Sequence, residues 1–149
     1  MAAIEEPAVR AWQSFVRAKA EIGRAVHREL RERGLTSSQL GILRVLSESS
    51  DRGVKLNEIS QRLCVTPGNL TGLVDRLEEA GCLRRAPHPE DRRATLAVLT
   101  PIGRELVEEL YPPHIARVER LMSTLTVEEQ ELLADLLARL AARAAEMNQ

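Results

Sequence analysis

The stretch "TPGNLTGLVDRLEEAG", Thr66 to Gly81, runs straight into "CLRRAPHPEDRRATLAVLT", Cys82 to Thr100, and together they decide the fold. The first part reads as a helix. Thr66 can cap it, and Pro67 at the first helical position loses an amide that would go unpaired anyway. Leu70, Leu73, Val74 and Leu77 repeat at the i, i+3, i+4, i+7 spacing of a buried face, and Gly81 ends the run. The opposite face holds Gly68, Asn69, Thr71, Gly72, Asp75 and Arg76, small and polar near its start. "CLRRA" and "ATLAVL" are short enough for strands, and the second alternates through Leu96 and Val98. Two acids and two arginines, Glu90 to Arg93, crowd the loop between them.

Working upstream, "TSSQ" (Thr36 to Gln39) matches a capping box that opens a helix to about Glu48, with Leu40, Leu43 and Leu46 inward. "SSDRG" (Ser49 to Gly53) is a turn. "VKLNEISQRLCV" then keeps helical spacing through Leu56, Ile59 and Leu63. The middle of the chain therefore reads helix, turn, helix, hairpin. Residues 8–33 read as one long helix with a stripe of Trp12, Phe15, Val16, Ile22, Val26 and Leu30, capped by Gly34. Downstream, "TPIG" (Thr100 to Gly103) starts another helix, which "YPP" (Tyr111 to Pro113) should break or kink. It can resume to about Ser123. "TVEE" (Thr126 to Glu129) opens a last helix whose Leu132, Leu133, Leu136, Leu137 and Leu140 form a broad apolar face.

This divides the chain into 1–35, 36–100 and 101–149. The fold class is mainly α with a small β-hairpin wing. The two terminal segments each carry a wide apolar face. Pairing with a second copy about a two-fold axis would bury both, so a homodimer through the terminal helices is expected.

Composition narrows the function. The 149 residues are 44% hydrophobic and 29% charged, with a formal net charge of −1. Nucleic-acid affinity must then come from local patches. The only aromatic residues are Trp12, Phe15 and Tyr111. No run is long and apolar enough for a membrane helix, and "MAAIEEPAVR" lacks the pattern of a signal peptide, so a cytoplasmic location is expected. Cys64 and Cys82 fit a reducing compartment and read as small buried hydrophobes. His27, His88 and His114 are scattered, so neither a metal nor a cofactor is expected. No phosphate loop, nucleophile elbow or catalytic set is present, which argues against an enzyme.

The middle segment suits DNA instead. A helix whose first turns are small and polar can approach base edges and phosphates in a major groove roughly 12 Å wide. Its expected contacts are Thr66, Pro67, Gly68, Asn69, Thr71, Gly72 and Arg76. A narrow wing tipped by arginine can enter the minor groove, where negative potential concentrates. Arg92 is the expected insertion, with Arg93 on phosphate and His88 as a further phosphate contact. Asp91 reads as a brace that pairs with a nearby arginine, and Arg76 is one candidate partner.

Residues 36–110 resemble the winged helix-turn-helix of the MarR (multiple antibiotic resistance regulator) family. The resemblance rests on "LTSSQLGILRVL", "LNEISQRLCVTPGNLTGLVDRLEEAGCLRR" and above all "PEDRRATLAVLTPIGREL". With the flanking helices it covers nearly the whole chain. It implies a homodimeric transcription factor, usually a repressor, on a pseudo-palindromic operator in double-stranded DNA. It also implies release by a small phenolic or carboxylate effector. The family's wing arginine falls on Arg92, its aspartate brace on Asp91 and its recognition helix on 66–80. The Pro112–Pro113 pair departs from a segment that is commonly one long helix in the family. For an effector, Trp12 and Phe15 offer stacking surfaces and Arg17, Arg24 and Arg44 offer carboxylate partners; the alternative role of Trp12 and Phe15 is dimer core. Two other functions stand beside this one: a winged-helix module for protein contacts without DNA, and a redox-responsive regulator using Cys64 or Cys82.

Overall fold

In the computed structural model, which describes residues 6–147, helix α5 (Pro67–Glu79) lies over a core built almost wholly of branched aliphatic side chains. Leu70, Val74 and Leu77 are buried beneath it, against Leu40, Ile42, Leu43, Leu46, Ile59 and Leu83. Burying one such side chain is worth roughly 1.5–3 kcal/mol, so this cluster, not the aromatic residues, holds the lobe together. The elements in chain order are α1 (Pro7–Val26), α2 (Arg28–Glu32), α3 (Ser37–Ser47), β1 (Val54–Lys55), α4 (Leu56–Leu63), α5, β2 (Leu83–Pro87), β3 (Thr95–Leu99), α6 (Pro101–Met122) and α7 (Val127–Met147). They form two compact units, Met1–His114 and Ile115–Gln149.

In the first unit, the expected hairpin gains a third strand. β1 pairs with β3, giving the antiparallel order β1-β3-β2 with Val54 opposite Ala97. Val54 and Lys55 are therefore extended where helical spacing had placed them in a helix. The cause is Gly53, whose φ of +95° turns the chain onto β3, where a Cβ would come within 2.6 Å of the Ala97 carbonyl oxygen. Gly103 is equally constrained. A Cβ there would lie 1.9 Å from the Cys82 carbonyl oxygen, so α6 can start against the sheet only with glycine at this position. Thr100 secures that start: its amide donates to the Cys82 carbonyl (3.2 Å) and its hydroxyl to the Gly81 carbonyl (2.6 Å).

The expected 8–33 helix breaks at His27, whose φ of −99° and ψ of 9° separate α1 from α2. Arg31 bridges the break: its guanidinium donates to the carbonyls of Gly23 and Arg24, both at 3.2 Å, while the Gly23 carbonyl also keeps the His27 amide. The proline pair has the opposite outcome, because α6 runs on as helix through Pro112 and Pro113. The two amides missing there would have served the carbonyls of Glu108 and Glu109. Both of those residues are exposed, so water can take over. The Thr36–Gln39 capping box forms as the spacing requires, with both reciprocal bonds present.

In the second unit, Thr126 and Glu129 form another reciprocal cap (2.9 and 3.2 Å). Gln130 Nε2 donates to the carbonyls of Met122 and Leu125, closing the turn before α7. No described residue of α7 is buried, and Leu132, Leu133, Leu136, Leu137 and Leu140 are all exposed.

Candidate nucleic-acid interface

Helix α5 is fixed at its N-terminus by Thr66, whose hydroxyl accepts the Asn69 amide at 3.3 Å. Thr71 Oγ donates back to the Pro67 carbonyl at 3.0 Å. Thr66, Pro67, Gly68, Asn69, Thr71, Gly72 and Arg76 are all exposed along one side. A Cβ at Gly68 or Gly72 would meet nothing within 4 Å. Glycine in a helix costs about 1 kcal/mol relative to alanine, and nothing inside the protein requires it at these two places. The flat face is thus suited to something outside the chain. Arg76 forms no ion pair among the described residues.

The wing continues β2 and β3 into a short tip that is hydrogen-bonded to itself. His88 N–H donates to the Ala94 carbonyl (3.1 Å), and Ala94 N–H to the Asp91 carbonyl (3.0 Å). His88 Nδ1 accepts the amides of Glu90 and Asp91 at 3.2 and 3.1 Å, so the ring sits inside the turn. The Asp91 carboxylate accepts the Arg93 backbone amide at 3.1 Å. Its hydrogen-bond partner is thus the main chain of the tip, where the sequence had suggested a pairing with Arg76. Arg92 and Arg93 are exposed and, among the described residues, free of ion pairs. Two cations are in this way presented on a shaped turn with their charge uncommitted.

An ionic cluster that sequence reasoning missed lies at the wing base. Arg85 Nη1 donates to Glu78 Oε2 and Nη2 to Asp75 Oδ1, both at 2.6 Å, while its amide donates to Glu78 Oε1 at 2.8 Å. The amide first, then the guanidinium, hold the Glu78 carboxyl below its ordinary range. The signal was present in the sequence. Strand alternation puts Arg85 on the same side as buried Leu83, and Asp75 and Glu78 are one turn apart on α5.

The expected effector residues are dispersed. Trp12 and Phe15 stand together on α1, ring centroids 5.9 Å apart and both exposed, and Arg24 pairs with Glu21. Arg17 is exposed on the same helix. Arg44 belongs to a different place. Its guanidinium lies 4.3 Å from the Tyr111 ring centroid and pairs with Glu48, while its Nε is buried without a hydrogen-bond partner. It lines a cleft of about 360 Å³ with Ser47, Arg104, Val107, Glu108, Tyr111 and Pro112, among which none of the α1 residues appears.

Cys82 is buried, and burial pushes its thiol up. Cys64 is exposed, contrary to expectation. It caps α4 in the left-handed region (φ 51°, ψ 40°), a position that turns the chain towards Thr66 and points the side chain away from the core. No group of three or more metal-ligating side chains occurs among the described residues. No helix among them is long and apolar enough to cross a membrane.

A helix with a small polar face, beside an arginine-tipped wing on a three-stranded sheet, is the frame of the winged helix-turn-helix, a class that reads double-stranded DNA. The MarR family profile matches residues 35–95. The chain is 33% identical over 134 residues to the uncharacterized HTH-type transcriptional regulator YkoM of Bacillus subtilis, covering 90% of this chain and 86% of YkoM. It is 30% identical to the HTH-type transcriptional regulator MhqR of the same organism, covering 83% of each chain. Among solved structures, it resembles the MarR-family regulator Sco3205 of Streptomyces coelicolor in complex with DNA, with TM-score 0.81 and 30% identity over 88% of this chain and 83% of that one. AbsC, from the same organism and family, matches with TM-score 0.86 and 25% identity over 98% and 99%. The chain belongs to the MarR family and is a DNA-binding transcriptional regulator.

Proposed function

We propose that the chain acts in the cytoplasm as a homodimeric repressor, not as an enzyme, with each copy holding one half of a pseudo-palindromic operator. In this reading α5 enters the major groove with Thr66, Pro67, Gly68, Asn69, Thr71, Gly72 and Arg76. Arg92 enters the minor groove from the wing, Arg93 and His88 face phosphate, and Asp91 braces the tip. Residues 36–100 read the DNA, while 1–35 and 101–149 pair the two copies through the exposed apolar faces of α1 and α7. The observation that carries the reading is the open face at Gly68 and Gly72 beside an arginine tip with uncommitted charge.

The test uses the full chain and an operator duplex selected by that chain from a randomised pool. Affinity should fall steeply with salt, because phosphate contacts release counterions. Arg92→Glu should weaken binding by roughly tenfold to a hundredfold, the range for losing a groove-inserted arginine with added repulsion. A salt-independent complex, or full affinity in the variant, would remove the wing from the interface.

The Arg44 cleft supports a planar carboxylate as the releasing effector. Tyr111 offers a ring face, Arg44 and Arg104 offer guanidinium groups, and the buried Arg44 Nε is a donor in want of an acceptor. Benzoate-type ligands should raise the melting temperature of the protein and lower its operator affinity. Arg44→Gln should abolish both effects; a persistent melting shift in that variant would place the ligand elsewhere.

A further inference from the structure

The structure assigns Arg85 a positioning role: its guanidinium bridges Asp75 and Glu78 on α5 and thereby fixes the wing at the angle at which both DNA-reading arms engage one duplex. The inference rests on the proposed reading that α5 takes the major groove and the wing tip the minor groove.

The geometry is unusual for a surface arginine. Arg85 sits in the middle of β2, paired in register with Ala97 of β3, and its side chain is only 26% exposed. Three of its donors are used on two carboxylates that lie one helical turn apart. A planar fork can reach both at once, with each bond charge-assisted; an ammonium group is a point charge and cannot reproduce that span. The backbone amide adds a bond to Glu78 that no side-chain change at Arg85 itself removes. The neighbouring Arg84 is exposed and makes no ion pair among the described residues, so the bridging belongs to one strand position.

The placement has a mechanical consequence. β1 supports the sheet as far as Lys55 opposite Leu96, the level of Ala86; beyond that the wing is a two-stranded ribbon whose tip is bonded mainly to itself. What sets its direction relative to α5 is therefore concentrated at the base. Arg85 is the point at which side chains of α5 grip the ribbon. Without that grip, each arm would still carry its own DNA contacts, but their simultaneous engagement would cost extra conformational entropy. The bridge also satisfies two carboxylates on the very helix that approaches phosphate. A role limited to masking charge would make the opposite prediction when those carboxylates are removed.

Hydroxyl-radical footprinting with the full chain on its selected operator separates the outcomes. The wild type should protect the backbone around the two major-groove half-sites and the minor grooves that flank them. Arg85→Ala should bind at least roughly tenfold more weakly, the cost of losing charge-assisted bonds, and should lose the flanking protection while retaining that of the two half-sites. Arg85→Lys should fall between the two. Asp75→Ala with Glu78→Ala removes both acceptors from the helix side and serves where the arginine variant fails to fold. It should also lose flanking protection. Full flanking protection in either variant, or tighter operator binding by the neutralised pair, overturns the role of Arg85 and leaves the DNA reading intact. A proportional loss of both protected regions, tracking a lower melting temperature, overturns it as well. A wild-type protein that protects no flanking minor groove defeats the wing reading itself.

Discussion

Helices α5 and α7 both turn an exposed face away from their own unit, and the two faces have opposite chemistry. That of α5 is Gly68, Asn69, Thr71, Gly72 and Arg76; that of α7 is Leu132, Leu133, Leu136, Leu137 and Leu140. The small polar face leaves room for a hydrated, charged and deep surface, and it loses little water on binding. The leucine face gains free energy only if water is driven off it, at about 25 cal/mol per Å² of apolar area. One chain thus carries surfaces for two partners that could not exchange places. A contiguous exposed leucine stripe is uncommon on a chain that stays alone, whereas a glycine-pocked helix face is stable in water and waits for a specific groove.

The largest expected effect breaks the leucine side of this comparison. Leu133→Glu with Leu137→Glu places two charges in the α7 face, where each residue is exposed and neither supports the core. Monomer folding should survive, while self-association should weaken by roughly a hundredfold or more, judged by the burial lost at two leucines. Sedimentation equilibrium reads this directly. Unchanged stoichiometry would mean that α7 does not pair the copies. Operator affinity should fall in parallel, since two half-sites would then be bound independently.

A smaller effect tests the polar side. Gly72→Leu adds a Cβ that meets nothing within 4 Å and replaces the poorest non-proline helix former with a good one. Stability should rise by up to about 1 kcal/mol in thermal melts. Operator affinity should fall by roughly tenfold, because the new side chain stands between the helix backbone and the groove. A variant that is more stable and binds DNA unchanged would show that this face is not against the duplex.

The ease with which each region could be read from sequence follows the same division. The repeats that bury Leu70, Val74 and Leu77 depend on local spacing alone, and so does the Thr36–Gln39 cap, so both could be placed without coordinates. The elements that escaped depend on tertiary partners. β1 is two residues long and exists because Gly53 delivers it to β3, which no local period encodes. The break at His27 is bridged by Arg31, four residues on, whose guanidinium reaches the carbonyls of Gly23 and Arg24, a contact that no local period encodes. The Arg85 bridge needed the helix-to-strand pairing to be known first. At the site, the exposed residue types could be listed in advance. Their partners could not: Asp91 bonds the backbone of Arg93, and Arg44 packs on Tyr111, where a one-dimensional reading had grouped it with α1. Cys64 failed for the same reason, since its exposure comes from a left-handed backbone that spacing does not reveal.

The smallest effect concerns a third kind of surface, the polar seam where α1 ends, which is neither flat and hydrated nor broadly apolar. His27 stacks on His114, ring centroids 5.9 Å apart and 24° from parallel. Burial first, and the nearby Arg31 cation second, hold the His27 imidazole below its ordinary value of 6.5. The sign follows. Above pH 6.5 the ring is neutral in both the folded and the unfolded chain, and its titration does not alter stability. Between 6.5 and the lowered folded value, the unfolded chain binds the proton more readily, so stability falls as the solution is acidified. Below the folded value the loss levels off. Melting temperatures of the wild type and His27→Gln, followed from pH 7.5 to 5, should therefore diverge, the wild type losing more on the acid side. Parallel curves would take His27 out of the seam's acid response. An Arg31→Gln variant refines the same measurement: it removes the neighbouring cation, should raise the folded value of His27, and should narrow the window over which the wild-type slope appears.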